Sequence, residues 1–217
     1  MSLAEQWLEG HKHHSADAAM RIQNARRCLS IVSDQIPFKS VIDFGCGIGA
    51  WLHAATDLGA EKVIGIEGDY IRNADTVVPQ SLIETRDLAT FETDWNKKFD
   101  VAMTIEVAEH LPEAAANGFV RMLTSASDVV IFSAARLNQT GLGHINEQPL
   151  GYWISKFDLL RYVPLEIFRP HLANVEGMYP WLRMNLIMLV QSKKLEELPH
   201  LHQFSKPLAD FDKLWPG

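Results

Sequence analysis

The sequence predicts an α/β domain built on a doubly wound, mostly parallel sheet. Three observations predict it. Short apolar runs alternate with segments of helical spacing. A glycine cluster closes the first of those runs, and acidic residues stand at the ends of the first three. Sheets of this kind bind their ligands beyond the carboxyl ends of the strands.

Taken in order, residues 15–36 carry helical spacing, with Ala19, Ile22, Ala25, Leu29 and Val32 on one side. Phe38 leads into a first strand, Ser40-Val41-Ile42-Asp43-Phe44, and residues 48–58 form the helix that follows, stopped by Gly59. Residues 62–67 are a second strand, 81–85 a third and 100–105 a fourth. A helix follows Pro112 to about Ser125, and a fifth strand runs over 128–133. Residues 134–148 make a long loop holding two glycines and His144; such loops in compact domains are functional or disordered. Residues 149–162 read as a helix with Pro149 in its first turn. Residues 163–168 and 183–191 read as two last strands, an antiparallel hairpin at the sheet edge.

Composition narrows the class. A chain of 217 residues suits one domain with a real core. A net charge of −7 argues against a face that neutralises many phosphates, so nucleic acid is not the expected partner. Residues 1–14 are polar, without the apolar stretch of a secretory signal, and the longest apolar run, 186–190, is too short for a bilayer. Cys28 and Cys46 make neither a disulfide framework nor a zinc pattern. A cytoplasmic protein without a membrane partner is expected. His11, His13 and His14 have metal-like density but fit a solvated terminus better. Leu208, Phe211, Leu214 and Trp215 form an apolar stripe expected to pack back on the body, with an oligomer contact as the second reading.

The segment Asp43-Phe44-Gly45-Cys46-Gly47-Ile48-Gly49 is the main chemical signal. Glycines at a strand-to-helix turn admit unusual backbone angles and let a ligand approach the main chain. Gly45, Gly47 and Ala50 also fit a dinucleotide-binding pattern. Asp43 decides between the two readings. A carboxylate two residues before the first glycine would repel a pyrophosphate, whereas it can hold a cationic amine. Glu67 ends the second strand, where a carboxylate takes ribose hydroxyls. Asp87, after the third, can accept from an adenine amino group. Each alone reads as a solvated loop carboxylate; together, at three successive strand ends, they describe a ligand.

In motif order and spacing from about Phe38 to Ser133, the chain resembles the class I S-adenosylmethionine-dependent methyltransferases. The resemblance implies that Asp43, Gly45, Gly47 and Gly49 surround the methionine part of S-adenosyl-L-methionine. It implies that Glu67 holds the ribose, and Asp87 and Leu88 the adenine. Cys46, between the glycines, and Ile105 and Glu106, at the end of the fourth strand, are counted with the cofactor site. On this reading residues 38–133 are the cofactor core, 134–192 the acceptor side and 193–217 a tail.

The stretch Glu106-Val107-Ala108-Glu109-His110 resembles the Glu-x-x-Glu-His segment of small-molecule O-methyltransferases. Helical turning would bring Glu106, Glu109 and His110 together, although glutamates also favour a helix N-terminus through its dipole. Methylating a hydroxyl requires a base, and histidine suits neutral pH. His144 and His110 are the two catalytic candidates. Glu106, Glu109, His110 and His144 also resemble the divalent-cation site of small-RNA 2′-O-methyltransferases; a metal is left open, with no ligand set assigned. Tyr152-Trp153 and Tyr179-Pro180-Trp181 are loosely similar to methyltransferases of polysaccharide biosynthesis, though core packing explains such aromatics equally well. The expected function is O-methylation of a small hydroxylated acceptor such as a sugar or glycoside. The alternatives are a metal-dependent RNA 2′-O-methyltransferase and a non-catalytic S-adenosylmethionine-binding module.

Overall fold

The computed structural model describes residues 17–211, apart from the side chains of Leu208 and Ala209. The N-terminal histidines, Leu214 and Trp215 lie outside the described residues. The strands are β1 (Ser40–Phe44), β2 (Lys62–Glu67), β3 (Ile83–Thr85), β4 (Val101–Ile105), β5 (Val129–Ser133), β6 (Tyr162–Leu165) and β7 (Ile187–Gln191). They form one sheet in the order β3-β2-β1-β4-β5-β7-β6. β1, β2, β3, β4 and β5 run parallel, and β7 lies antiparallel between β5 and β6. The expected doubly wound sheet with an antiparallel C-terminal pair is present.

Alternation along each strand sends successive side chains to opposite faces. Val41 faces one layer and Ile42 the other, so each face gathers its own core. The first face packs against α1 (Ala18–Gln35), α2 (Ala50–Asp57), α5 (Arg169–Leu172), α6 (Pro180–Asn185) and α7 (Ser192–Glu196) through Leu29, Val32, Leu52, Leu172, Leu182 and Leu195. The second packs against α3 (Ala116–Ala126) and α4 (Leu150–Asp158), where Phe119, Leu123, Trp153 and Phe157 meet Phe132 and Leu189. Each such large side chain stabilises the fold by about 1.5–3 kcal/mol. Cys28 and Cys46 are buried free thiols. No helix among the described residues is long and apolar enough to cross a membrane.

The structure corrects several boundaries. The helix expected over 149–162 ends at Asp158, and Tyr162 opens β6, because Arg161 turns the chain with a φ of +62°. Tyr162 is buried, and its hydroxyl donates to the Ser127 carbonyl at 2.6 Å. The strand expected over 183–191 begins only at Ile187; Arg183 and Asn185 belong to α6. The last two strands therefore make no tight hairpin. Two short helices intervene, and β7 inserts beside β5, leaving β6 at the edge. Pro164 is tolerated there because an edge strand need not donate every N–H. At the N-terminus of α1, Ala19 is exposed, not part of the buried stripe.

Neighbours of β1 lie in opposite chain directions, β2 on one side and β4 on the other. Loops leaving the two halves diverge to opposite faces, and a crevice opens beyond β1 and β4.

Candidate active site

A cavity of about 1400 Å³ occupies that crevice. On one side it is lined by Gly45, Cys46, Gly47, Glu67, Tyr70, Asp87 and Leu88, and on the other by Ile105, Glu106, Glu109, His110 and His144. Of the cofactor residues expected from sequence, Asp43 and Gly49 do not line it. Asp43 stands behind the glycine turn, and Gly49 precedes α2 and packs against Val78.

The turn after β1 depends on Gly45. Its φ is +82°, and a Cβ there would lie 2.3 Å from Val107 Cγ2. The loops after β1 and β4 thus touch at a point where no side chain fits. Glu67 fixes the same turn from the far side. Its carboxylate accepts from the Gly47 N–H at 2.6 Å, the Gly68 N–H at 2.8 Å and the Tyr70 hydroxyl at 2.5 Å. Burial raises its carboxyl while those three bonds oppose the shift. Asp43 is 1% exposed and its Oδ1 has no hydrogen-bond partner among the described residues. Burial, then the neighbouring Glu67, push its carboxyl well above the usual range. A cation bound beside these two carboxyl groups would favour their ionised forms. Asp87 is exposed, its Oδ1 accepting from the Ala89 N–H at 3.0 Å, and Leu88 is buried beside it.

The other wall begins with strain. Glu106 takes a φ of +56°, a conformation that non-glycine residues adopt only where surroundings hold them. Its N–H reaches Ser133 Oγ at 3.1 Å, and its two carboxylate oxygens accept from Asn185 Nδ2 at 3.2 and 3.3 Å. Asn185 is fully buried and also pairs with Gln139. The next turn, Ala108–His110, is 3₁₀ and buries Glu109 completely. Neither Glu109 oxygen has a hydrogen-bond partner among the described residues. Burial, then the Glu106 charge, drive its carboxyl well up, although the backbone N–H groups of Glu109 and Ala135 lie near enough to favour the anion.

The Glu109 carbonyl clamps the long loop by accepting from the Ile145 and Asn146 N–H groups, both at 2.9 Å. That clamp brings the two histidines together, with ring centroids 4.8 Å apart and planes at 73°. His110 Nδ1 lies 3.1 Å from the Gly143 carbonyl, and His144 Nδ1 lies 2.7 Å from Glu147 Oε1. Burial lowers the His110 pKa to about 4, so its imidazole is neutral. Glu147 Oε2 accepts from the Asn138 N–H at 3.0 Å, and the bond from His144 holds its carboxyl below the usual range. Ligand atoms of Glu109, His110 and His144 all lie within 4.8 Å of one another, a spacing that could hold a metal. Glu106, turned toward Asn185, is not in that group.

Sequence reasoning missed Tyr70, Glu147, Asn185 and Arg21. Glu147, three residues after His144, was the most readable of these. Asn185 and Arg21 reach the site only through tertiary packing. Of the aromatics, Trp153 is a core residue against Phe132, and Tyr152 packs on Trp153 away from the cavity. Tyr179 and Trp181 do line the cavity, stacked at 4.5 Å and 13°.

A family model described as a methyltransferase domain matches residues 17–134. The chain is similar to ribosomal protein L11 methyltransferase of Vibrio parahaemolyticus serotype O3:K6, 39% identical over 105 residues that make 48% of this chain and 28% of that protein. It therefore spans little more than a quarter of that relative's length. Among solved structures it is similar to the methyltransferase domain of bacterial CtHen1-CN, with a TM-score of 0.53, 20% identity, and 78% and 98% of the two chains covered. It is also similar to a DhpI–S-adenosylhomocysteine complex, with a TM-score of 0.55, 16% identity, and 88% and 98% covered. These two structural likenesses carry the fold.

Proposed function

Since the chain belongs to the methyltransferase-domain family matched over residues 17–134, we propose that it transfers a methyl group from S-adenosylmethionine to a hydroxyl of a small acceptor, a sugar or glycoside. The observation that carries this reading is the His144–Glu147 pair at 2.7 Å. A carboxylate only accepts, so His144 Nδ1 carries the proton and Nε2 is left as the nitrogen able to accept one. Such an oriented imidazole is the arrangement a general base needs.

The residues present fit the cofactor. The Glu67 carboxylate on the cavity wall suits its ribose, Asp43 lies behind the turn without lining the cavity, the turn at Gly45 is bare of side chains, and Asp87 and Leu88 suit the adenine. Cys46, Gly47, Ile105 and Glu106 complete the walls. When bound, S-adenosylmethionine supplies an electrophilic methyl carbon on a sulfonium. Glu67 has three donors in place, so ribose hydroxyls reach it by taking over from the Tyr70 hydroxyl. On the acceptor side, His144 Nε2 takes the hydroxyl proton as the oxygen–carbon bond forms and the carbon–sulfur bond breaks. His110, neutral and held at Nδ1 by Gly143, lies against the His144 ring and limits its rotation.

Isothermal titration with S-adenosylhomocysteine tests the cofactor half. Micromolar binding supports it, and binding of NADH instead would overturn it. His144→Ala tests the base: turnover on a hydroxyl acceptor should fall roughly 10²–10⁴-fold with S-adenosylhomocysteine affinity unchanged. Near-normal turnover would remove His144 from the chemistry.

A second reading is favoured by Glu109, whose two buried oxygens lack hydrogen-bond partners among the described residues. A cation bound beside it would hold this carboxyl ionised. With both histidine Nδ1 atoms engaged by oxygen acceptors, the ring geometry matches that of imidazoles which ligate through the other nitrogen. Glu109, His110 and His144 would then hold a hard divalent ion, which would supply Lewis-acid activation of the acceptor hydroxyl. Manganese titration followed by electron paramagnetic resonance distinguishes the readings. Tight binding lost in Glu109→Gln supports the metal; no binding, with activity indifferent to EDTA, leaves His144 as a lone base.

A further inference from the structure

The cavity has a part that neither cofactor nor base explains. Its lining also includes Arg21 of α1 and Tyr179, Pro180 and Trp181. Three arginines line the cavity. Arg72 is paired with Asp69, and Arg86 with Glu84. Arg21 has no ion pair among the described residues, and its buried Nε has no hydrogen-bond partner there. Its guanidinium carbon stands 5.9 Å from the centre of the Tyr179 ring. Asp17, one turn earlier, supports the charge only from a distance.

The aromatic pair is built, not incidental. Asn24 of α1 donates to the Gly177 carbonyl at 3.1 Å and accepts from the Tyr179 N–H at 2.8 Å. Arg27 donates to the Glu176 carbonyl at 2.9 Å. These bonds fasten the segment before α6 to the helix that carries Arg21. Trp181 stays 38% exposed while one face of its ring is covered by Tyr179. The Tyr179 hydroxyl is buried and without a hydrogen-bond partner among the described residues. An apolar ring platform and a guanidinium without an ion pair among the described residues thus lie together in the cavity lining.

We propose that this wall is the acceptor subsite, and that the acceptor is an acidic glycoside whose ring lies on Trp181 and whose anionic group is read by Arg21. The proposal rests on the hydroxyl-methylating reading of the same cavity. A sugar ring presents an apolar face that suits an indole, and a planar carboxylate or phosphate matches the guanidinium fork. Of the cavity arginines among the described residues, Arg72 and Arg86 are already ion-paired, so an anionic group meets least competition at Arg21. A polyanion such as RNA is disfavoured by the net charge of −7.

The test uses protein saturated with S-adenosylhomocysteine and three probes: methyl β-D-glucuronoside, glucose 1-phosphate and methyl β-D-glucoside. Binding is followed by indole fluorescence and by saturation-transfer NMR. At least one anionic probe should bind about tenfold tighter than the neutral one, and which one does so separates a carboxylate from a phosphate acceptor. Arg21→Gln should erase the preference, Arg21→Lys should restore part of it, and Trp181→Ala should weaken all three. S-adenosylhomocysteine affinity serves as the folding control. A preference that survives Arg21→Gln would overturn the proposal, as would no probe binding at millimolar concentration. Arg21-dependent binding of AMP tighter than either acidic sugar would assign the wall to nucleotides and also overturn it. Loss of S-adenosylhomocysteine binding by the wild-type protein would refute the cofactor reading instead, so the two failures are distinguishable.

Discussion

Replacing Gly45 with alanine isolates the contact between the two loops that shape the cofactor half. Two costs are expected. An alanine held at φ +82° is strained by about 1–2 kcal/mol. Its Cβ would also lie 2.3 Å from Val107 Cγ2 and 2.9 Å from Val107 Cγ1. A valine cannot rotate both methyl groups away, because its χ1 is stiff, so the loop must shift at a cost of about 1–3 kcal/mol. Loss of unfolded-state freedom offsets about 0.4–1 kcal/mol of this. Gly59 provides the control, with φ +94° and nothing within 4 Å of an added Cβ. Gly59→Ala should therefore show the strain alone, roughly 1 kcal/mol, or about 2–4 °C in Tm for a domain of this size. Gly45→Ala should lose about 2–4 kcal/mol and weaken S-adenosylhomocysteine at least tenfold, since Val107 moves on the cavity wall. Thermal melts and titration calorimetry on both variants measure this. Equal Tm losses with equal affinities would refute the reasoning that the contact, not the backbone angle, dominates at Gly45.

Three other outcomes are expected. Tyr70→Phe should leave S-adenosylhomocysteine affinity unchanged or tighten it a few-fold by freeing Glu67, whereas weakening beyond tenfold would place the hydroxyl among the ligand contacts. Glu147→Gln should release the His144 tautomer and lower turnover roughly 10²-fold or more without altering cofactor affinity; full activity would show that His144 needs no orienting partner. Asp100 accepts from the Lys39 and Ser40 N–H groups and the Ser40 hydroxyl, and these bonds outweigh burial to hold its carboxyl below the usual range. Its contribution is present above the unfolded carboxylate pKa and is lost as pH falls through the lower folded value. Asp100→Asn should therefore cost about 1 kcal/mol at pH 7 and progressively less below about pH 4, and a difference independent of pH would refute the linkage.

Much of this molecule is legible in its sequence because the local rules agree. Alternating apolar runs fix both faces of β1, β4 and β5, and Asp43 through Gly49 mark the turn where the cavity opens. Where one local pattern serves two structures, reading fails. The apolar run after Leu182 suits a helix or a strand, and only packing against β5 decides that α6 ends at Asn185 before β7 begins. The candidate site divides the same way. Residues at strand ends, such as Glu67 and Glu106, are readable from position. Asn185, 79 residues from Glu106, and Arg21, on the first helix, enter only when the sheet is assembled. The positive φ of Glu106 has no sequence signal at all, since nothing about a glutamate requires it.

The helix α6 is only six residues long, with Trp181 at its second position and Asn185 at its last. These two residues are one turn apart, so they face the same way. One reaches the open end of the cavity, and the other grips both oxygens of Glu106. Displacing the indole is therefore expected to disturb the Glu106 carboxylate through a lever a single turn long. Thermodynamic reciprocity then applies: the factor by which an acceptor alters cofactor affinity must equal the factor by which the cofactor alters acceptor affinity. Titrating S-adenosylhomocysteine with and without methyl β-D-glucuronoside should reveal equal shifts in both directions, and Asn185→Leu should uncouple them while each ligand still binds alone.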